Sequence, residues 1–183
     1  MNSNARAKKG LFKGSDTIDW DQVVRIDFPK VFNYFRYSGL DDDISEELMS
    51  ITFEKAWRAR NQYNSEKSAV TTWIITIAKN TLIDYYRTKK IEYPIDVLDE
   101  KKESRSQKQD LEQEMLKTEK VEKLRKLLFQ LPDRERDLVA LKYGTGMTNR
   151  EIAEFTGLTE SNIGTILHRV VSYLRMSLEV KNE

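Results

Sequence analysis

The chain is 183 residues long, 39% hydrophobic and 33% charged, with 31 basic and 30 acidic residues and a net charge of +1. That is material for one ordinary domain or two small helix-leaning ones, and the near-neutral balance excludes a global field able to hold the protein on nucleic acid unaided. With no cysteine and a single histidine, His168, the sequence excludes disulfides, thiolate zinc sites, cysteine nucleophiles and histidine metal clusters, so no cofactor is expected.

Residues 1–18 are polar, carry Arg6, Lys8, Lys9 and Lys13, and read as a mobile tail. No apolar run follows these basic residues, so they do not form a secretory signal, and no later stretch has the apolar length of a membrane span. A cytoplasmic protein without membrane insertion is expected. From Asp19 to Tyr37, Val24, Phe28, Val31, Phe32 and Phe35 recur at helical spacing. Pro29 lacks an N–H and crowds the preceding turn, so two short helices or one kinked helix are expected.

Asp43 and Glu46 have the spacing of a helix start, and the helix Ile44–Arg60 carries two apolar stripes. Ile44, Leu48, Ile51 and Ala59 form one; Met49, Phe53, Ala56 and Trp57 lie nearly opposite. A helix apolar on two faces is buried on both, against its own core or against a partner protein. Gln62–Thr72 is a polar loop. After it, Trp73–Lys90 is predicted as a long helix with Ile74, Ile77, Ala78, Thr81 and Tyr85 on its core side. Trp73, Asn80, Asp84 and Arg87 share another stripe, aromatic at its start and basic at its end, where Lys89 and Lys90 follow. Rings beside basic residues suit single-stranded nucleic acid, although Trp73 also reads as a core residue.

Apolar residues thin out after Leu98, and 92–113 reads as a charged, flexible linker. A second unit follows. Val121, Leu124, Leu127, Leu128 and Leu131 make one helix; Leu131-Pro132-Asp133 ends it and caps the next, Arg134–Tyr143. Gly144-Thr145-Gly146 turns the chain into Thr148–Arg169, TNREIAEFTGLTESNIGTILHR. There Thr148 with Glu151 forms a capping box, Gly157 stops the first helix, and Thr159 caps the second. Ile163, Leu167, Val170 and Leu174 fall on one face of that second helix. The fold expected is all-α: two small helical domains, 19–91 and 114–178, joined by a flexible charged linker, the second containing a helix-turn-helix.

With both halves in view, the chain resembles bacterial sigma-70 family RNA polymerase sigma factors of the extracytoplasmic-function (ECF) type. The segment LPDRERDLVALKYGTGMTNREIAEFTGL resembles the family's fourth conserved region. ISEELMSITFEKAWRARNQYN and WIITIAKNTLIDYYR are similar to its second. The resemblance spans about residues 20–178. It implies a promoter-specificity subunit, not an enzyme, whose first domain recognises and melts the −10 element and whose second binds the −35 element.

Carried over by position, Glu47, Leu48, Ser50, Phe53 and Glu54 match the helix that docks on the polymerase β′ coiled coil. Tyr63, Ser68, Thr72, Trp73 and Asn80 match the part that captures a flipped −10 base, and Asp84, Arg87, Lys89 and Lys90 match the end that contacts duplex upstream. The linker corresponds to the segment threaded through the polymerase, whose β subunit is a further expected contact. An anti-sigma factor is implied as regulator. The family often has Gln at the place of Ser50, and Lys or Arg at the places of Gly164 and Ile166. Ser161, Asn162, Thr165, His168 and Arg169 then remain as −35 contacts, the amide and hydroxyls suited to base edges and Arg169, like Arg175, to phosphate. The alternative is a stand-alone helix-turn-helix regulator with an N-terminal interaction domain. No phosphate loop or nucleophile motif appears, and Asp41–Asp43 reads as a turn and helix cap, so catalysis is not expected.

Overall fold

The computed structural model describes residues 18–92 and 111–179, with side chains given for 18–89 and 118–179. The expected tail, apart from Ile18, and nearly all of the expected linker lie outside these residues. Among the described residues every regular element is helical.

Helix α1, Trp20–Tyr37, is capped by Asp19, whose carboxylate accepts from the Gln22 N–H. Of the two arrangements left open at Pro29, the chain takes one uninterrupted helix. Val23 on one side of the proline and Val31, Tyr34 and Phe35 on the other are all buried, so tertiary packing outweighs the lost backbone bond.

Helix α2 spans Asp42–Arg58, and its cap is Asp41 rather than Asp43. Asp41 has extended backbone and accepts from the Ile44 N–H at 2.8 Å. Asp42 and Asp43 occupy the first turn, where the helix dipole favours carboxylates. The two opposed stripes expected here are replaced by one broad buried face of Ser45, Leu48, Thr52, Phe53 and Ala56. Ser45 and Thr52 enter the core because each hydroxyl donates to the carbonyl four residues back, at 2.6 and 2.7 Å. Trp57, assigned to a buried stripe, is instead 50% exposed.

A 3₁₀ turn, Arg60–Gln62, leads through a short loop into α3, Val70–Glu92, which starts three residues before Trp73. Ile75 and Leu82 join Ile74, Ala78 and Thr81 on its buried side.

In the second half, α4 is Leu111–Gln130 and α5 is Asp133–Val139, prolonged by a π turn, Ala140–Gly144. The cap of α5 is Pro132, and no side chain closes it. Asp133 lies in the first turn and pairs with Arg136 instead. Helices α6, Asn149–Thr156, and α7, Glu160–Glu179, complete this half. The two halves are not separate globules: Val31, Tyr34 and Phe35 of α1 belong to the same buried cluster as Leu128, Val139 and Leu141.

Candidate nucleic-acid interface

The helix-turn-helix forms as its local chemistry dictates. The Thr148 hydroxyl accepts from the Glu151 N–H at 3.2 Å, and the Glu151 carboxylate accepts from the Thr148 N–H at 2.7 Å. Helix α6 buries Ile152 and stops at Gly157, whose φ of 76° is left-handed and whose N–H bonds Ala153 O at 2.9 Å. Thr159 accepts from the Asn162 N–H at 3.2 Å and so caps α7.

The hydrogen bonds from Thr148 hold the Glu151 carboxyl below its ordinary range. A depressed folded-state pKa adds stability that is complete above the unfolded value, about 4.3, and is lost as pH falls through the folded value. Thr148→Ala is expected to cost about 1 kcal/mol in urea unfolding at pH 7. Glu151→Gln keeps the box geometry and should flatten the acid limb of stability, measured from pH 6 down to pH 3.

Along α7, Ile163, Leu167, Val170 and Leu174 are buried. Ser161, Asn162, Thr165, His168 and Arg169 all stand exposed on the outer side. Thr165 donates to Ser161 O at 3.0 Å, and Arg169 pairs with Glu135 of α5. Arg169 is 65% exposed, so that pair is a weak surface one. Ile166 is partly buried against the core, in keeping with a packing role.

The −10 candidates gather around the start of α3. Tyr63 and Trp73 meet with ring centroids 5.3 Å apart, and the Tyr63 hydroxyl donates to Ser68 O at 3.1 Å. Trp73 is partly buried, and its platform is braced from the loop side by Tyr63. The Thr71 hydroxyl donates to the buried Asp27 carboxylate at 2.7 Å, which pins the first turn of α3, with its neighbour Thr72, to α1. Asn80 and Arg87 are exposed, and Asp84 and Lys89 are half-buried. Asp84 pairs with Arg87 at 2.7 Å and with Lys55 at 3.3 Å. The Lys90 side chain lies outside the described residues.

The candidate polymerase contacts separate by burial. Leu48 and Phe53 are 3% and 9% exposed, and Phe53 packs on Phe28. Glu47, Ser50 and Glu54 are exposed along one edge of α2. Trp57 continues that edge; Trp20 meets it edge-on at 5.1 Å, and the Arg60 guanidinium lies 4.4 Å above its ring. The sequence reading placed Trp57 by periodicity alone; the signal available was Arg60 three residues on, a pairing that suits an exposed ring.

Family models match both halves: sigma-70 region 2 over residues 24–91 and sigma-70 region 4 over residues 121–174. The chain belongs to the ECF branch of the sigma-70 family. It is 27% identical over 172 residues to the RNA polymerase sigma factor YlaC of Bacillus subtilis, covering 93% of this chain and 97% of that one. It is 27% identical over 144 residues to the ECF sigma factor RpoE of Cereibacter sphaeroides, covering 78% and 75%. The fold matches that of RpoE in complex with the anti-sigma factor NepR from Bartonella quintana, with a TM-score of 0.65 at 20% identity over 90% of this chain and 99% of that one. It also matches CnrH bound to the cytosolic domain of CnrY, with a TM-score of 0.61 at 18% identity over 89% and 88%. This ECF sigma factor is thus a subunit that binds core RNA polymerase and directs promoter-specific initiation, in a family that works by binding rather than catalysis. Among the described residues, no helix is long and apolar enough to cross a membrane, and no cluster of side chains fits a metal ion.

Proposed function

We propose that the sigma factor grips its promoter at two points and its polymerase at a third. Helix α7 lies in the major groove of the −35 element. Ser161, Asn162 and Thr165 read base edges, and His168 and Arg169 hold the backbone. Tyr63, Ser68, Thr72, Trp73 and Asn80 capture an extruded −10 base. Unpairing and unstacking cost a few kcal/mol, and stacking on Trp73 offsets them. Asp84, Arg87, Lys89 and Lys90 meet the upstream duplex. The edge formed by Glu47, Ser50, Glu54 and Trp57 docks on the β′ coiled coil, while Leu48 and Phe53 support it from inside.

The observation that carries this reading is the division of α7, with its apolar residues buried and its five polar candidates exposed together. The net charge of +1 assigns the remaining affinity to polymerase, because phosphate neutralisation dominates autonomous DNA binding. The protein catalyses no reaction of its own and works in the cytoplasm beside polymerase. Both structural relatives were solved with a partner, one of them named as an anti-sigma factor, and we extend regulation by an anti-sigma factor to this chain.

Co-purification with core polymerase at micromolar concentration tests the reading. A stand-alone regulator would leave core unbound and retard duplex DNA by itself. Asn162→Ala is expected to weaken discrimination among −35 sequences by about 1–3 kcal/mol, measured by competition on substituted promoters. A uniform loss across all of them would make Asn162 a positioning contact.

A further inference from the structure

Among the described residues, Asp27 of α1 is the acidic residue that the fold buries, with 2% of its surface exposed. Burying a carboxylate is costly unless it is paired and hydrogen-bonded. Its partner is the Thr71 hydroxyl, which donates at 2.7 Å from 44 residues away in sequence. Lys30 stands farther off, at 3.8 Å, with its own side chain 34% exposed. A hydrogen bond to an ionised acceptor is short and directional, so this pair fixes a geometry. A well-packed apolar pair in its place would hold the two helices together at least as well.

The place of Thr71 gives that geometry its consequence. Helix α3 begins at Val70, and the residue before it, Ala69, has no side-chain oxygen to cap the first turn. The first N–H groups of a helix have no intrahelical partner; here the Trp73 N–H bonds Ala69 O at 3.1 Å and closes the turn. Ile74, Ile75 and Ala78 are fully buried and set the azimuth of the helix body. Asp27 carries the same face back to Thr71, three and four residues before the two isoleucines, and the dipole favours a carboxylate at this end.

With about 100° between successive helical residues, a Thr71 held against α1 leaves Trp73 about 200° further round. There Tyr63 of the loop meets it with centroids 5.3 Å apart, and the Tyr63 hydroxyl donates to Ser68 O. The platform is thus set from two directions. Tyr63 steadies the ring, and Asp27 fixes the turn of backbone from which Thr72 and Trp73 project. We propose that Asp27 is a positioning residue for −10 recognition, acting through Thr71 to hold Thr72 and the Trp73 platform where the extruded base arrives. This role rests on the base-capture reading of the same segment.

Core polymerase with the full-length protein tests it. Thr71→Val removes the donor at nearly constant shape, Thr71→Ser keeps it, and Asp27→Ala removes the acceptor. Permanganate reactivity measures melting, gel retardation at low temperature measures the closed complex, and promoters substituted singly through the −10 element measure discrimination. Thr71→Val and Asp27→Ala should each lower melting about two- to tenfold, the range that one net hydrogen bond supplies, and reduce discrimination at one position of the −10 element. Closed-complex binding and −35 discrimination should stay as in wild type. Thr71→Ser should recover melting, and the double variant should be no worse than the more impaired single one.

A pair that only stabilises the domain would lower the active fraction, and with it both steps and every −10 sequence alike; that result overturns the proposal. So does a Thr71→Ser protein as impaired as Thr71→Val. So does a Thr71→Val protein that melts and discriminates as wild type does while Trp73→Ala impairs melting, in which case base capture stands without Asp27. If Trp73→Ala leaves melting intact as well, the capture reading itself fails, and the role of Asp27 falls with it.

Discussion

Trp73→Ala is expected to reduce open-complex formation by about 1–3 kcal/mol, the stacking worth of one base, or roughly 5- to 150-fold at about 1.4 kcal/mol per decade. Closed-complex binding should change little, because a platform matters only after the strands separate. Permanganate reactivity of unpaired thymines reports the first quantity, and gel retardation at low temperature the second. Trp73 also packs against the domain core and touches Tyr63, so its loss has a structural component. Trp73→Phe separates the two: a smaller aromatic keeps a stacking face and should recover most of the melting. Equal loss at both steps would count against a melting role.

A larger effect on stability is expected at Ile163. Its side chain is fully buried in the core that also takes in Ile152 and Leu167, and α7 packs against α6. Ile163→Ala should cost about 2–5 kcal/mol, from lost transfer energy and the cavity left behind, read as a lowered urea midpoint. Since domain stabilities are of the order of 5–15 kcal/mol, the helix-turn-helix should become partly unfolded at 37 °C. Transcription from promoters that depend on the −35 element should then fall, while α2, in the other domain, still docks on polymerase. An effect confined to stability, with −35 reading intact, would remove α7 from the DNA.

Much of the second domain was legible because its signals are local. Thr148 with Glu151, Gly157 and Thr159 each act within a few residues of chain, and each does in the structure what its spacing predicts. The failures come from residues whose state is decided by something distant or ambiguous. Three consecutive aspartates offer three possible caps, and backbone geometry selects the first. Ser45 and Thr52 look like surface residues until their hydroxyls satisfy carbonyls in their own helix. Trp57 is apolar by composition, yet its ring is shared between Trp20 and Arg60 at the surface. Pro29 left two short helices or one kinked helix open, and packing on both sides of it decides for the single helix.

Hardest to read was the meeting of the domains. Tyr34 and Asp137 are 103 residues apart in sequence, and neither has a local pattern that names the other. Gly144 was legible only as a turn residue, whereas its place in the structure is a point of backbone contact with α1.

The central claim is that the two domains of one chain read two promoter elements on behalf of polymerase. Mapping transcript 5′ ends on genomic DNA, with core polymerase in the presence and absence of this protein, tests it most directly. A small set of new start sites is expected, sharing two sequence elements at fixed spacing upstream, with Asn162→Ala relaxing the distal element and Trp73→Ala depleting every site. Start sites unchanged by the protein, or new sites sharing only one element, would contradict it.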